Sequence, residues 1–176
     1  MALDTRFSMA IQLLLLIALS PEPMSSAQMA ESVGTNPSHV RRILGQLSKA
    51  NLAAGRSGTV GFHLLREPRE IDLFTVYCAV SGSDCFHVFD LHQNPSDSCI
   101  VGRHIRPLLA GRFAEAERPM QRTLQSQSLA DCIADLKERV GSDAADMDES
   151  SISDALRQAR NGSGDPGDSK AGAGGR

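Results

Sequence analysis

The chain has 176 residues, 41% of them hydrophobic, and a formal net charge of −3. That length suits one domain, or one plus an appendage, with enough apolar side chains for a core. Aromatics are only 4%, with no Trp and one Tyr, which argues against a single-strand or RNA binder that stacks bases on aromatic side chains. Four cysteines, at 78, 85, 99 and 132, show no regular framework, and this favours reduced thiols in a cytoplasm.

The first predicted element is a buried helix over 5–19, ended by Pro21-Glu22-Pro23. Met9 to Leu19 is an apolar run behind Arg6, and Ser25-x-Ala27 resembles a signal-peptidase site, so a secretory leader is the rival reading. Asp4 spoils a positive leader, Gln12 interrupts the run, and cleavage would remove the start of the next helix. The eleven residues from Met9 to Leu19 are too few to cross a bilayer as a helix. No membrane partner is expected.

Ser25 to Leu52 organises the rest of the chain. Ser25 with Gln28 forms a capping box that starts a helix. Ala27, Ala30 and Val33 give it an apolar stripe, and Gly34 suits a left-handed helix exit. Asn36 then caps a second helix with Pro37 at its first position. Val40, Ile43, Leu44 and Leu47 repeat at helical spacing and predict its buried face. Ser38, Arg42 and Lys49 point the opposite way, with Arg41 at the flank. This is the pattern of a helix-turn-helix that places its second helix in the major groove. Two core helices of any helical domain would share much of it. Charge separates the two readings. Residues 36–66 carry Arg41, Arg42, Lys49, Arg56 and Arg66 and no acid, within a chain of net charge −3. A local basic patch on an acidic chain is an electrostatic footprint for nucleic acid.

Residues 53–65, AAGRSGTVGFHLL, predict two short strands and a turn, a wing with Arg56 near its tip. After Pro68, Ile71 to Val80 predicts a short buried helix in which Cys78 is a packing residue. Residues 83–98 read as a loop-rich connector, with a possible strand at Phe86, Val88 and Phe89. From Ile100 to Leu124 the apolar positions Ile105, Leu108, Leu109, Phe113, Ala116, Met120 and Leu124 form one helical stripe, interrupted by Pro107 and Pro119. An internal proline costs about 3 kcal/mol unless the helix bends or ends nearby. Ser128 caps a last helix with Leu129, Ile133, Leu136 and Val140 inward. A long apolar helix outside a compact domain usually meets a second copy. From Gly141 the chain carries seven acids, four bases and much Gly and Ser, and disorder is expected.

No phosphate loop, H-E-x-x-H, C-x-x-C or G-x-S-x-G occurs. Cys99 and His104 imitate a nucleophile–base pair without an evident acyl-group site, so no enzyme is expected.

In this order the elements resemble the bacterial winged-helix repressors that include IscR, NsrR and CymR. The resemblance covers residues 1 to about 140. Its most specific part is GTNPSHVRRILGQLSKANL, with the glycine, cap, apolar repeat and Lys-Ala-x-Leu ending. Arg56, the glycine-rich turn, Phe62 and the Pro68-x-x-Ile71 segment also match. Residues 94–109, NPSDSCIVGRHIRPLL, resemble a branch without an iron–sulfur centre. The resemblance implies a homodimeric regulator that binds a double-stranded DNA operator. It puts Ser38, Arg41 and Arg42 at base-reading positions and Arg56 at the wing arginine. Several members have Glu and Gln where this chain has Arg41 and Arg42, so the operator does not carry over; arginines favour guanine. The wing has SGTVG in place of the usual Pro and triple Gly.

Cluster-bearing relatives use three closely spaced cysteines after the buried helix, whereas this chain has Cys85 and Cys99 with thirteen residues between. His87, Asp90, His92 and His104 show no recognisable ligand spacing. No metal or other cofactor is expected. Cys99, before Ile100-Val101-Gly102 at a helix start, and Cys85 are candidate sensor thiols. An inert thiol or a small-molecule effector is the competing reading.

The expected fold is therefore mainly α with a small β-hairpin, a winged helix-turn-helix plus C-terminal dimerisation helices. The expected divisions are 1–82 for DNA binding, 83–98 as connector, 99–140 for dimerisation and 141–176 as a disordered tail. The expected DNA contacts are Ser38, His39, Arg41, Arg42, Lys49 and Arg56, and the expected dimer contacts Ile105, Leu109, Phe113 and Met120. The expected function is a cytoplasmic, sequence-specific transcriptional regulator acting as a repressor, responsive to redox or a small effector. A helical protein-interaction module without DNA binding is the alternative.

Overall fold

A computed structural model describes residues 5–55, 61–82 and 88–143. Helix α1 (Arg6–Leu19) lies at the centre of the core, with Ala10, Leu13 and Leu14 fully buried. Gln12, the polar break in its apolar run, donates to the carbonyl of Ser32 at 3.0 Å and ties α1 to α2 (Ser26–Val33). The predicted capping box opens α2: Ser25 Oγ accepts from the Gln28 amide at 3.3 Å, and Gln28 Oε1 accepts from the Ser25 amide at 2.9 Å. Gly34 closes it at φ 71°, a conformation that costs a residue with a Cβ.

The core face of α2 differs from expectation. Met29 and Ala30 are buried and Val33 packs beside them, while Ala27 is exposed. Those three residues centre the face about 110° from Ala27 at helical rotation, and the longer Met29 supplies the apolar contact that Ala27 was expected to give.

Helix α3 (Pro37–Lys49) follows, with Asn36 Oδ1 accepting from the His39 amide at 2.8 Å. Asn51, at φ 54°, turns the chain out of it. Strands β1 (Ala53–Gly55) and β2 (Phe62–Leu64) pair antiparallel, with Ala54 opposite His63. Ser48 Oγ donates to the Ala53 carbonyl at 2.7 Å, so the hairpin is anchored to α3 itself. Arg56 and the expected wing tip lie outside the described residues.

A 3-10 turn (Pro68–Glu70) leads to α4 (Leu73–Ser81). Asp72 caps α4, accepting from the Thr75 amide at 2.8 Å. Cys78 is half-buried in α4, as a packing residue would be. Cys85, Phe86 and His87 lie outside the described residues. The strand considered at Val88 and Phe89 is absent; these residues form a bend, and their amides donate to Glu117 Oε1 at 2.6 and 3.1 Å. A carboxylate satisfies the backbone groups that a neighbouring strand would otherwise pair.

Helix α5 (Ile100–Gln125) runs 26 residues through both Pro107 and Pro119 without a break. Helix α6 (Leu129–Asp143) starts at a second capping box, with Asp131 Oδ2 accepting from the Ser128 amide at 2.7 Å. These hydrogen bonds hold the Asp131 carboxyl below its ordinary pKa. The chain before α6 pairs with the chain before α4: the Leu73 amide donates to the Gln127 carbonyl at 2.9 Å, and the Leu129 amide to the Ile71 carbonyl at 2.8 Å. α6 thereby folds back, burying Leu129 fully and packing Ile133 on the core. Leu136, expected on that inner face, is 37% exposed, while Val140 one turn on is half-buried. Disorder was expected from Gly141, but α6 continues through Asp143; the remaining residues of that stretch lie outside the described ones. Among the described residues no helix is long and apolar enough to cross a membrane.

Candidate nucleic-acid interface

The orientation of α3 is set by what it buries. Val40, Ile43 and Leu47 are wholly inaccessible and Leu44 nearly so, and rolling the helix would bring those side chains into water at about 1.5–3 kcal/mol each. Ser38, Arg41, Arg42 and Lys49 are consequently held outward, with His39 half-buried at the edge. The sequence expectation for this face and the structure coincide.

The two arginines are held differently. Arg41 reaches across to the preceding helix: one terminal nitrogen donates to Ser26 Oγ at 3.3 Å and the other to Ser38 Oγ at 3.2 Å. Arg42 pairs along its own helix, donating to His39 Nδ1 at 3.3 Å. A guanidinium has no acceptor, so this contact requires a neutral ring with Nδ1 free of its proton. Lys49 projects from the last turn, where the helix dipole favours a cation. Arg66 is exposed just after β2. No acid occurs on α3 or elsewhere in residues 36–66, so the charged side chains on the outer face of α3 are all cations, which suits a row of phosphates.

Cys99 occupies the N-cap of α5 and is exposed. The backbone amides of Gly102 and Val101 hold its thiol below the ordinary value. Cys132 goes the other way, raised by burial and then by Asp135 and Asp131. Cys85, the other candidate sensor, lies outside the described residues.

The apolar stripe of α5 is wider than its own domain uses. Phe113 stacks on Phe89 with centroids 5.1 Å apart. Ile105 and Leu109 are half-buried, while Met120 is 46%, Leu108 58% and Val101 63% exposed. Two residues here were not foreseen from the sequence. Ser26, which braces Arg41, carries no signal beyond its place beside a cap. Glu117, buried on α5 against the connector backbone, reads in the sequence as one more surface acid.

Residues 3–135 match the Rrf2 family model, described as "Iron-dependent Transcriptional regulator". The chain is 38% identical over 129 residues to YwnA of Bacillus subtilis (strain 168), described as an HTH-type transcriptional regulator, covering 73% of this chain and 95% of YwnA. A crystal structure described as that of a DNA-binding protein is 37% identical, with a TM-score of 0.61 over 73% of this chain and 98% of that one. IscR of T. potens shares the fold at 19% identity, with a TM-score of 0.58 over 79% of this chain and 90% of its own. Among the described residues, no group of three or more His, Cys, Asp or Glu side chains is placed to hold a metal ion. The described donors do not fit an iron centre.

Proposed function

The chain belongs to the Rrf2 family of transcriptional regulators, and we propose that it is a homodimeric repressor that reads its operator with α3. It is a DNA-binding regulator by family. The observation that carries the finer reading is the acid-free outer face of α3, with Ser38, Arg41, Arg42 and Lys49 fixed outward by a buried inner face and His39 at its edge. Arg56 on the wing is proposed as a further contact, from its place in the sequence. We assign no catalytic residue and place the protein in the cytoplasm, with the DNA.

Selection of bound sequences from a random duplex pool tests this. Arg42→Ala should cost about 1–3 kcal/mol on the selected operator and relax the preference at one base pair per half-site. Equal losses on operator and random duplex would leave Arg42 a phosphate contact only.

The second copy is proposed to lie along the uncovered edge of α5, where Ile105, Leu108, Leu109 and Met120 follow one another. Phe113 is proposed to support that edge through its contact with Phe89. Residues 1–82 are proposed as the reading part and 99–140 as the dimerising part, the latter anchored on the core of the former through α6, with 83–98 linking them and the chain after α6 dispensable to both.

For the signal, position favours Cys99: it is exposed at the N-cap of α5, where the backbone amides of Gly102 and Val101 favour the thiolate. Hydrogen peroxide would be reduced to water while the Cys99 sulfur is oxidised to the sulfenic acid. Peroxide is expected to weaken operator binding by the wild type and leave Cys99→Ser unaffected. Identical titrations of the two treated proteins would remove Cys99 from the signal.

A further inference from the structure

We infer that Arg41 is a phosphate clamp rather than a base reader, and that Ser26 of α2 is its positioning residue. The inference rests on α3 being the DNA-reading helix. Arg41 and Arg42 are adjacent, equally charged and both exposed, yet only Arg41 is tied to another helix. Its guanidinium lies between Ser26 Oγ on α2 and Ser38 Oγ on α3, at 3.3 and 3.2 Å. A guanidinium only donates, so each serine oxygen accepts from it and keeps its own hydroxyl hydrogen to give. One cation and two hydroxyls, each with a hydrogen left to donate, are therefore gathered at one point. That set matches an oxygen-rich anion. A guanine edge also accepts, but reading it bidentately needs the free, extended fork of an arginine in the groove, and the Arg41 fork is already engaged by two serines.

Position agrees with chemistry. In helix-turn-helix docking the first helix crosses the sugar–phosphate backbone while the second enters the groove. Ser26 belongs to the first turn of that first helix, so an arginine drawn toward Ser26 is drawn toward the backbone. Arg42 has no such tether; its partner is His39, one turn back on α3, and it can leave that partner for a base. The pair thus divides the labour of the face: Arg41 sets register against the duplex and Arg42 discriminates among sequences.

Salt-dependent anisotropy titrations of full-length protein on the selected operator and on a scrambled duplex test the assignment, with sequence selection repeated for each variant. Arg41→Ala should weaken both duplexes by the same factor, lower the salt slope by about one per protomer, and leave the selected sequence unchanged. Ser26→Ala should weaken both duplexes by a smaller factor, about 2- to 10-fold for one lost hydrogen bond, with Ser26→Thr restoring wild-type binding. A changed base preference for Arg41→Ala, with the salt slope intact, would make Arg41 a base reader and overturn the proposal. A Ser26→Ala protein that titrates as wild type would remove Ser26 from the clamp. Wild-type protein that binds no duplex at low salt would instead sink the underlying assignment of α3, so the two failures are distinct.

Discussion

Leu109→Asp should elute as a monomer on a sizing column and bind the operator roughly 10²- to 10⁴-fold more weakly than wild type, because two half-sites are then engaged separately. Leu109 belongs to the edge of α5 that its own domain leaves half-covered, and Leu108 beside it is 58% exposed. An aspartate there is solvated in the free monomer and unpaired in a closed dimer, so its cost falls on association. Along the same edge an open apolar recess of about 450 Å³ lies between Phe7, Tyr77, Met120 and Leu124. Leu108→Asp provides the control for folding, since its side chain is the more exposed of the two. Two variants that remain dimeric and bind as wild type would move the interface off α5.

The second large effect is expected in the core. Leu13→Ala should lower stability by about 2–5 kcal/mol in chemical denaturation at fixed protein concentration. Leu13 is fully buried among the residues that support α3, including Leu44 and Leu47. The same variant separates the two readings of the N-terminal apolar run. If residues up to Ala27 were a leader removed in processing, Leu13→Ala would leave the mature protein unchanged. Loss of stability without change of length by mass spectrometry means that α1 is part of the working fold.

Much of the architecture was legible because its signals are local. Ser25 with Gln28, Asn36 with Pro37, and Gly34 and Gly82 act through hydrogen bonds and backbone torsions within a few residues. Their effect therefore survives in any tertiary setting. The α3 repeat was equally plain, since four apolar residues at helical spacing admit one buried face. Where a signal was weak the wheel misled: two alanines and a valine made Ala27 look like core, and the stronger hydrophobe Met29 turned α2 otherwise. Val88 and Phe89 read as strand formers, but β-pairing needs a partner edge. Glu117 supplied their amides with an acceptor instead.

By itself the sequence determined the order of elements, their caps and the outward basic face of α3, because each depends on spacing along one segment. It also carried the family, through the glycine-to-leucine stretch from Gly34 to Leu52. Only the tertiary structure decided that α6 returns to the core through the pairing of 71–73 with 127–129, that Glu117 holds the connector, and that Arg41 leans on Ser26 fifteen positions away. Those contacts join residues distant in the chain, and no periodicity encodes which hydroxyl or amide will stand opposite a side chain once two helices have packed.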